Sequence, residues 1–376
     1  MKLCEPVGHV GIVRGLWRAA AQGRLSHALC FEGLAGSGRF VAAKWFVQGL
    51  LCEQGPLRAG VSHEDFSPCG ACRACKQLAS GGEGGNHPDV FLLDRAREQV
   101  ESEGHSGLYQ GSEITVAHIA ARENDSGKGL PSDPIAEFLR LRPLEGGARC
   151  VVIREAERMN TSAQNAFLKT LEEPSPGTHL ILECSRPARL LPTIRSRVVR
   201  VGFDPLTRPQ VRDVLAGLGE PEADLDRRAA LAEGAPGAAL ERIARGVPAL
   251  DTNLVAWLAG ELPPGVAVRE LWEVEGEFPG GTALARERER VATILERGIA
   301  LLRSSLHGAV AGLPGLGWLE AADVQRVQAL AARVGPIGLE ARLERFLELS
   351  RDLSRNLDPG LVLDRAIHAP TLGQLI

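Results

Sequence analysis

Cys150-Val151-Val152-Ile153-Arg154-Glu155-Ala156-Glu157 leads, three residues later, into Thr161-Ser162-Ala163-Gln164-Asn165-Ala166-Phe167-Leu168-Lys169-Thr170-Leu171-Glu172-Glu173-Pro174. The β-branched run reads as a buried strand, and the acids at its carboxyl end sit where open α/β sheets bind their ligands. Thr161 and Gln164 have capping-box spacing, and Pro174 stops the helix that they begin. Together they have the shape of a Walker B strand and its following helix. One position departs from that shape. Arg154 stands where a nucleoside triphosphatase carries the aspartate that holds Mg²⁺.

Upstream, a helix is predicted over Val10–Gln22 and an apolar strand over Ala28–Phe31. Gly33-Leu34-Ala35-Gly36-Ser37-Gly38-Arg39-Phe40 then opens a helix through Leu51. Glycines at this spacing after a strand are those of a P-loop, whose backbone N–H groups cradle phosphate at a helix N-terminus. The side chains of the motif are missing. Arg39 replaces the lysine that reaches the β/γ-phosphates, and Phe40 replaces the hydroxyl that holds Mg²⁺. Arginine keeps the charge without the compact ammonium geometry, and Lys44 lies more than a helical turn away. An ordinary Gly-rich strand-to-helix turn is the competing reading.

Cys69-Gly70-Ala71-Cys72-Arg73-Ala74-Cys75 brings three thiols onto one tight turn, and Cys52 upstream offers a fourth. Four thiolates complete a closed, structural Zn²⁺ site. Unligated thiols and an iron–sulfur cluster are the rivals, the latter lacking the nearby fourth Cys-Pro of a ferredoxin-type run. Cys30, Cys150 and Cys184 fall in predicted strands and read as core thiols, while Cys4 carries no signal.

His87–Asp94 reads as a turn and a strand, and residues 95–133 as a surface insertion in which Ile114–Ala121 starts a helix. A helix follows over Ile135–Leu141, and a buried strand over His179–Leu182. Between Arg186 and Arg200 stand five arginines and no acid. Such a run is either a solvated face or an arginine offered to a phosphate on another molecule. Phe203-Asp204-Pro205-Leu206-Thr207 marks a boundary. Beyond it come helices over Thr207–Leu218, Leu225–Ala232 and, after a Gly234–Gly237 turn, Ala238–Ala244. The remainder is helical, with Trp257, Trp272 and Trp318 as core anchors.

The 376 residues suffice for two or three domains with their own cores. With 24% charged and 44% hydrophobic residues the chain is globular. A net charge of −4 argues against a protein that coats DNA in bulk. No apolar run reaches the roughly 18 residues of a membrane span, and the first residues read as no secretory signal, so a cytoplasmic protein is expected. Eight cysteines in that setting favour thiols or metal over disulfides.

Gly23-Arg24-Leu25-Ser26-His27-Ala28, the Gly33–Gly38 loop, the cysteine run, Asn165–Pro174 and Ser196-Arg197 occur in order over residues 9–200. In this they resemble the AAA+ subunits of the bacterial DNA polymerase III clamp loader. The resemblance implies an α/β fold: a RecA-like AAA+ parallel-sheet domain over 1–205 with a small zinc lobe at 52–75. A small helical lid domain over 206–246 and an all-α collar domain over 247–376 would follow, the collar matching by length and helical pattern.

Motor subunits of that family carry a P-loop lysine, a Walker B aspartate and a sensor 2 arginine, where this chain has Arg39, Arg154 and Gly237. The implied role is therefore the stationary member, which keeps the fold without intrinsic ATPase activity and helps load the sliding clamp on primed DNA. Gly33, Gly36, Gly38 and Arg39 would be a vestigial P-loop and Glu155 a vestigial Walker B acid, with no ATP bound productively. Arg197, beside Ser196 in the position of the family's Ser-Arg-Cys motif, would be an arginine finger into the neighbouring motor, with Val198 replacing the motif's cysteine. Fingers of this kind are worth about 10³–10⁵ in rate. Structural zinc on Cys52, Cys69, Cys72 and Cys75 is the implied cofactor. The implied partners are the motor ATPase and the clamp-opening subunit and, through the complex, the sliding clamp and primer-template DNA, with no membrane. An autonomous AAA+ ATPase of motor or helicase-loader type, and a DNA-binding module using the arginine run, are the alternatives.

Overall fold

The structure, a computed structural model, describes residues 3–58, 66–80, 87–95, 106–109, 113–120, 135–145, 147–279, 282–311, 316–355 and 357–368. The chain divides into two compact units, Met1–Leu206 and Thr207–Ile376.

The first unit is a six-stranded parallel sheet wrapped by helices. In chain order its elements are α1 (Val10–Ala21), β1 (Ala28–Gly33), α2 (Arg39–Leu51), α3 (Arg73–Ala79), β2 (Val90–Arg95), β3 (Ser106–Tyr109), α4 (Val116–Ile119), α5 (Ile135–Arg140), β4 (Arg149–Ile153), α6 (Thr161–Glu172), β5 (Thr178–Cys184), α7 (Pro192–Arg195) and β6 (Val199–Phe203). The strand order β3-β2-β4-β5-β1-β6 contains the RecA-like AAA+ order, with β3 added at one edge. Every residue of β4 is buried, as a parallel strand covered on both faces requires. Side chains alternate between two cores: Cys150 and Val152 face one with Leu29 and Phe31, while Val151 and Ile153 face the other with Ala28 and Cys30. This pleat brings Gly33, Arg154 and Cys184, at the carboxyl ends of β1, β4 and β5, to one rim.

Two sequence expectations are corrected here. The capping box of Thr161 and Gln164 does not form. Asn160 caps α6, its side chain accepting from the Ala163 N–H at 2.9 Å. Gln164, one residue further round, is buried and bonds elsewhere. The 95–133 stretch is also more than a surface insertion: it supplies the edge strand β3, and its Ile114 and Ile119 are fully buried. Residues 96–105, 110–112 and 121–133 of that stretch lie outside the described residues.

The second unit is helical: α8 (Arg208–Gly217), α9 (Leu225–Leu231), α10 (Pro236–Ala244), α11 (Val247–Ala259), α12 (Pro264–Trp272), α13 (Ala283–Ala311), α14 (Ala321–Ser354) and α15 (Pro359–His368). Thr207 and Gln210 form a capping box on α8. Pro236 occupies the first turn of α10, so Gly237 lies inside the helix rather than in the turn expected before it. Val247, Leu254, Leu295, Leu302 and Phe346 build the core, with Trp257, Trp272 and Trp318 packed against it. Gly298 lets α13 and α14 approach closely, because a Cβ there would meet the Phe346 ring at 2.3 Å. Gly335, at φ 70° and ψ 170° before Pro336, breaks α14 into two helical segments. Among the described residues no helix is long and apolar enough to cross a membrane.

Candidate functional site

The Gly33–Gly38 loop has the conformation that its glycines predict. Gly36 and Gly38 take φ of 78° and 94°, and Gly38 is the N-cap of α2. Gly33 is required by proximity, since a Cβ there would lie 2.5 Å from the Phe203 carbonyl oxygen. The His9 ring sits against the loop, its Nε2 3.1 Å from the Ser37 carbonyl oxygen and its face meeting the Phe203 ring edge-on at 4.9 Å.

Arg39 does not reach outward toward a phosphate position. It is buried, its Nη1 donating to the Phe31 carbonyl at 3.4 Å while Nη2 lies 3.5 Å from Glu183 Oε1. The other Glu183 oxygen is 3.5 Å from Arg154 Nε. Arg154 Nη1 donates to Asp94 Oδ2 at 2.5 Å, and its guanidinium stacks 4.1 Å from the centre of the Phe40 ring. The rim that would receive Mg²⁺ and phosphate is thus spanned by a chain of alternating charge, Asp94–Arg154–Glu183–Arg39, which sums to zero. Phe40 closes it from the helix side. Burial, the largest influence, keeps the Glu183 carboxyl above its ordinary value, although Arg39 and then Arg154 pull it down. The guanidiniums 3.5 Å from each oxygen favour its carboxylate form.

The acids that follow β4 are also engaged. Glu155 adopts φ 47° and ψ 48°, a left-handed conformation costly for a residue with a Cβ, and accepts from Arg158 Nε at 2.7 Å. Glu157 is buried and accepts from the Ser185 N–H at 3.1 Å and from its hydroxyl. Burial alone would raise its pKa; the Ser185 hydrogen bonds outweigh it and hold the carboxyl below its ordinary value.

Ser196 and Arg197 lie between α7 and β6. Gln164 of α6 donates from Nε2 to the Met159 carbonyl at 2.8 Å and accepts at Oε1 from the Leu191 N–H at 2.7 Å, which fixes the start of α7. Arg197 is exposed, with Nη2 2.6 Å from Glu172 Oε1 and Nη1 donating to the Thr193 carbonyl at 3.1 Å. Ser196 Oγ donates to the same carbonyl at 3.0 Å.

The four expected cysteines converge. Their Sγ atoms all lie within 4.8 Å of one another, Cys69 and Cys75 at 3.9 Å. A tetrahedral zinc with bonds of about 2.3 Å needs sulfurs about 3.8 Å apart, so the quartet fits the ion. The Cys69 sulfur also accepts from the Ala71 and Cys72 N–H groups, and the Cys72 sulfur caps α3 by accepting from the Cys75 N–H. The hydrogen bond from Cys75 draws the Cys52 thiol down to about 5, while that bond and burial push Cys75 up. Cys30, Cys150 and Cys184 are buried in strands, as expected, and Cys4 is exposed.

Sequence reasoning placed Arg39, Arg154 and the glycines at one rim but missed Glu183 and Asp94. Their signal is an acid ending an otherwise apolar strand: Leu180-Ile181-Leu182-Glu183 and Val90-Phe91-Leu92-Leu93-Asp94.

A model of the family described as DNA polymerase III, delta subunit, matches residues 8–207. The DNA polymerase III subunit delta' of Bacillus subtilis (strain 168) is 31% identical over 204 residues, which is 54% of this chain and 50% of that protein. The subunit delta' of Pseudomonas aeruginosa is 34% identical over 188 residues, 50% of this chain and 46% of that protein. The chain thus spans about half the length of these curated relatives. A DNA polymerase III gamma-subunit-related protein from Thermotoga maritima superposes with a TM-score of 0.38 at 20% identity, over 94% of this chain and 97% of that one.

Proposed function

Because the chain belongs to the DNA polymerase III delta-subunit family, we propose that it acts as a delta-prime-type clamp-loader subunit that does not hydrolyse ATP. In this reading it completes the ATP site of a neighbouring motor subunit with Arg197 and so helps load the sliding clamp onto primed DNA. The observation that carries the reading is the Asp94–Arg154–Glu183–Arg39 chain. It stands where a motor would hold Mg²⁺ and the β/γ-phosphates, and a chain with no net charge offers a dication none of the attraction that an unpaired aspartate would. Phe40 can ligate nothing. Glu155, paired with Arg158, has neither metal nor γ-phosphate to work with.

Arg197 supports the second half of the reading. It is exposed, it follows the short helix α7, and arginine offers a planar fork that suits phosphate. In the same reading the four cysteines hold one structural zinc, residues 206–246 are the lid, 247–376 the collar, and the protein works in the cytoplasm. The motor ATPase and the clamp-opening subunit are its direct partners, and the clamp and primer-template DNA are met through the complex.

The test is ATP hydrolysis by the motor subunit assembled with this chain, wild type against Arg197→Ala, with the lone chain as control. A silent lone chain and a fall of at least about tenfold on substitution are expected, a lower bound on what a finger contributes. Turnover by the lone chain would instead mark it as an autonomous ATPase.

A further inference from the structure

Helix α6 ends against Arg197, and we propose that Glu172, in its last turn, is the positioning residue that aims the Arg197 guanidinium at the neighbour's nucleotide. The inference rests on the arginine-finger reading given above.

An arginine side chain has about 2 kcal/mol of rotamer freedom to lose when it is fixed. A finger that waggles in solution bears that cost in every catalytic encounter, whereas one already held bears less of it then. Arg197 is held at three points. Glu172 Oε1 takes Nη2 at 2.6 Å, and the Thr193 carbonyl takes Nη1 at 3.1 Å, with Ser196 Oγ 3.4 Å from the same Nη1. A guanidinium has five N–H groups. Nη1 gives its two to the Thr193 carbonyl and the Ser196 hydroxyl and Nη2 gives one to Glu172, so the Nε–H and one Nη2 N–H remain for phosphate oxygens.

The grip is directional because both of its ends are anchored by the same helix. Asn160 caps α6 at its start, Gln164 ties it to the Leu191 N–H at the head of α7, and Glu172 stands at its end beside Pro174. Thr193 lies within α7, four residues before Arg197. Helix α6 therefore sets both the base and the tip of the arm. The Glu172 and Arg197 side chains are 49% and 37% exposed, and a pair this open adds little to stability. A purely structural role would be nearly silent in the folded chain, which leaves orientation as what the carboxylate can supply.

The test uses the complex assembled from this chain and the motor ATPase, with wild type, Glu172→Ala, Glu172→Gln, Arg197→Ala and the Glu172→Ala/Arg197→Ala double variant. Glu172→Ala is expected to lower kcat by about threefold to tenfold with KM for ATP unchanged, the signature of an interaction that matters in the transition state. Glu172→Gln, which keeps an acceptor oxygen, recovers part of the rate. The double variant is no slower than Arg197→Ala, because two residues acting through one group do not add. An alanine at 172 that slows the complex by the same factor in both backgrounds acts without Arg197 and overturns the inference. A slow Arg197→Ala beside a wild-type rate for Glu172→Ala overturns this inference alone, whereas a wild-type rate for Arg197→Ala overturns the finger reading and this with it.

Discussion

Glu183→Gln tests the charge chain at its middle. In the native chain Glu183 stands 3.5 Å from both Arg39 and Arg154. Arg154 has a second carboxylate, Asp94 at 2.5 Å, and the Phe40 face. Arg39, 3% exposed, is left with the neutral Phe31 carbonyl at 3.4 Å. Removing one partner of a buried pair costs about 3–5 kcal/mol, much of it the solvation that the abandoned charge no longer receives. A glutamine can still offer its amide oxygen, which places the expected loss near the lower end, about 3 kcal/mol. For a unit the size of Met1–Leu206, each kcal/mol moves the midpoint by about 2–4 °C, so Tm of that unit should fall by about 6–12 °C. Calorimetry of the full chain reads this, because two units can give two transitions and a single midpoint would blur them. Raising the salt should change the difference little, since buried pairs are poorly screened. The control is Arg39→Met with Glu183→Leu, an apolar replacement that should lie within about 1 kcal/mol of the native protein. A drop under about 2 °C for Glu183→Gln, or a double variant as weak as the single, would refute the claim that the network carries buried charge.

Three further outcomes are expected. Native protein should contain one zinc per chain by elemental analysis, and Cys69→Ser should lose it and open residues 52–75 to protease; zinc-free native protein would refute the ligand set. His179 is half-buried in β5, and this desolvation, despite the hydrogen bond it donates to the Ser26 backbone, lowers its pKa from 6.5 to about 4. The unfolded chain thus binds the extra proton between those values, so stability is full above about 6.5 and falls as pH drops toward 4, by up to roughly 3 kcal/mol. Urea unfolding of the native chain against His179→Phe across that range should show the slope only in the former. Glu155→Gly should raise Tm of the first unit by about 1–4 °C, because glycine removes roughly 0.5–1 kcal/mol of left-handed strain and loses only an exposed pair with Arg158; an unchanged or lower midpoint would show that the conformation is not strained.

The parts of the site legible in the sequence are those that local chemistry dictates. Gly36 and Gly38 announce backbone that other residues rarely adopt, four thiols at short spacings announce their convergence, and Val151–Ile153 read as a strand buried on both faces. Arg39 and Arg154 were legible as departures from a motif, but not as partners of anything. Their carboxylates come from β2 and β5, and which strand ends share a rim depends on the strand order, which no local pattern carries. Asn160 and Thr161 are both competent caps one residue apart, and the choice between them fell to Gln164, whose buried bonds to Met159 and Leu191 are tertiary. Ile114 and Ile119 sit in a stretch too rich in glycine and charge to suggest burial, yet α4 packs against α5 and α6 in the core that Phe91 and Phe167 share.

The Asp94–Arg154–Glu183–Arg39 chain also governs which way such a site can change. Arg154→Asp, the substitution that would return a metal ligand, leaves three carboxylates at one rim facing Arg39 alone. Glu183→Ala leaves Arg39 buried beside a bare carbonyl, and Asp94→Asn leaves two guanidiniums sharing a single carboxylate. Each single substitution that removes a member of the chain thus passes through a buried unmatched charge costing several kcal/mol, a large part of the 5–15 kcal/mol that holds a typical domain together. Arg39→Lys and Phe40→Thr keep the charges matched, but neither returns a metal ligand at position 154. Charge pairing alone thus works as a ratchet, keeping the pocket closed to reversion whether or not the closed state is useful.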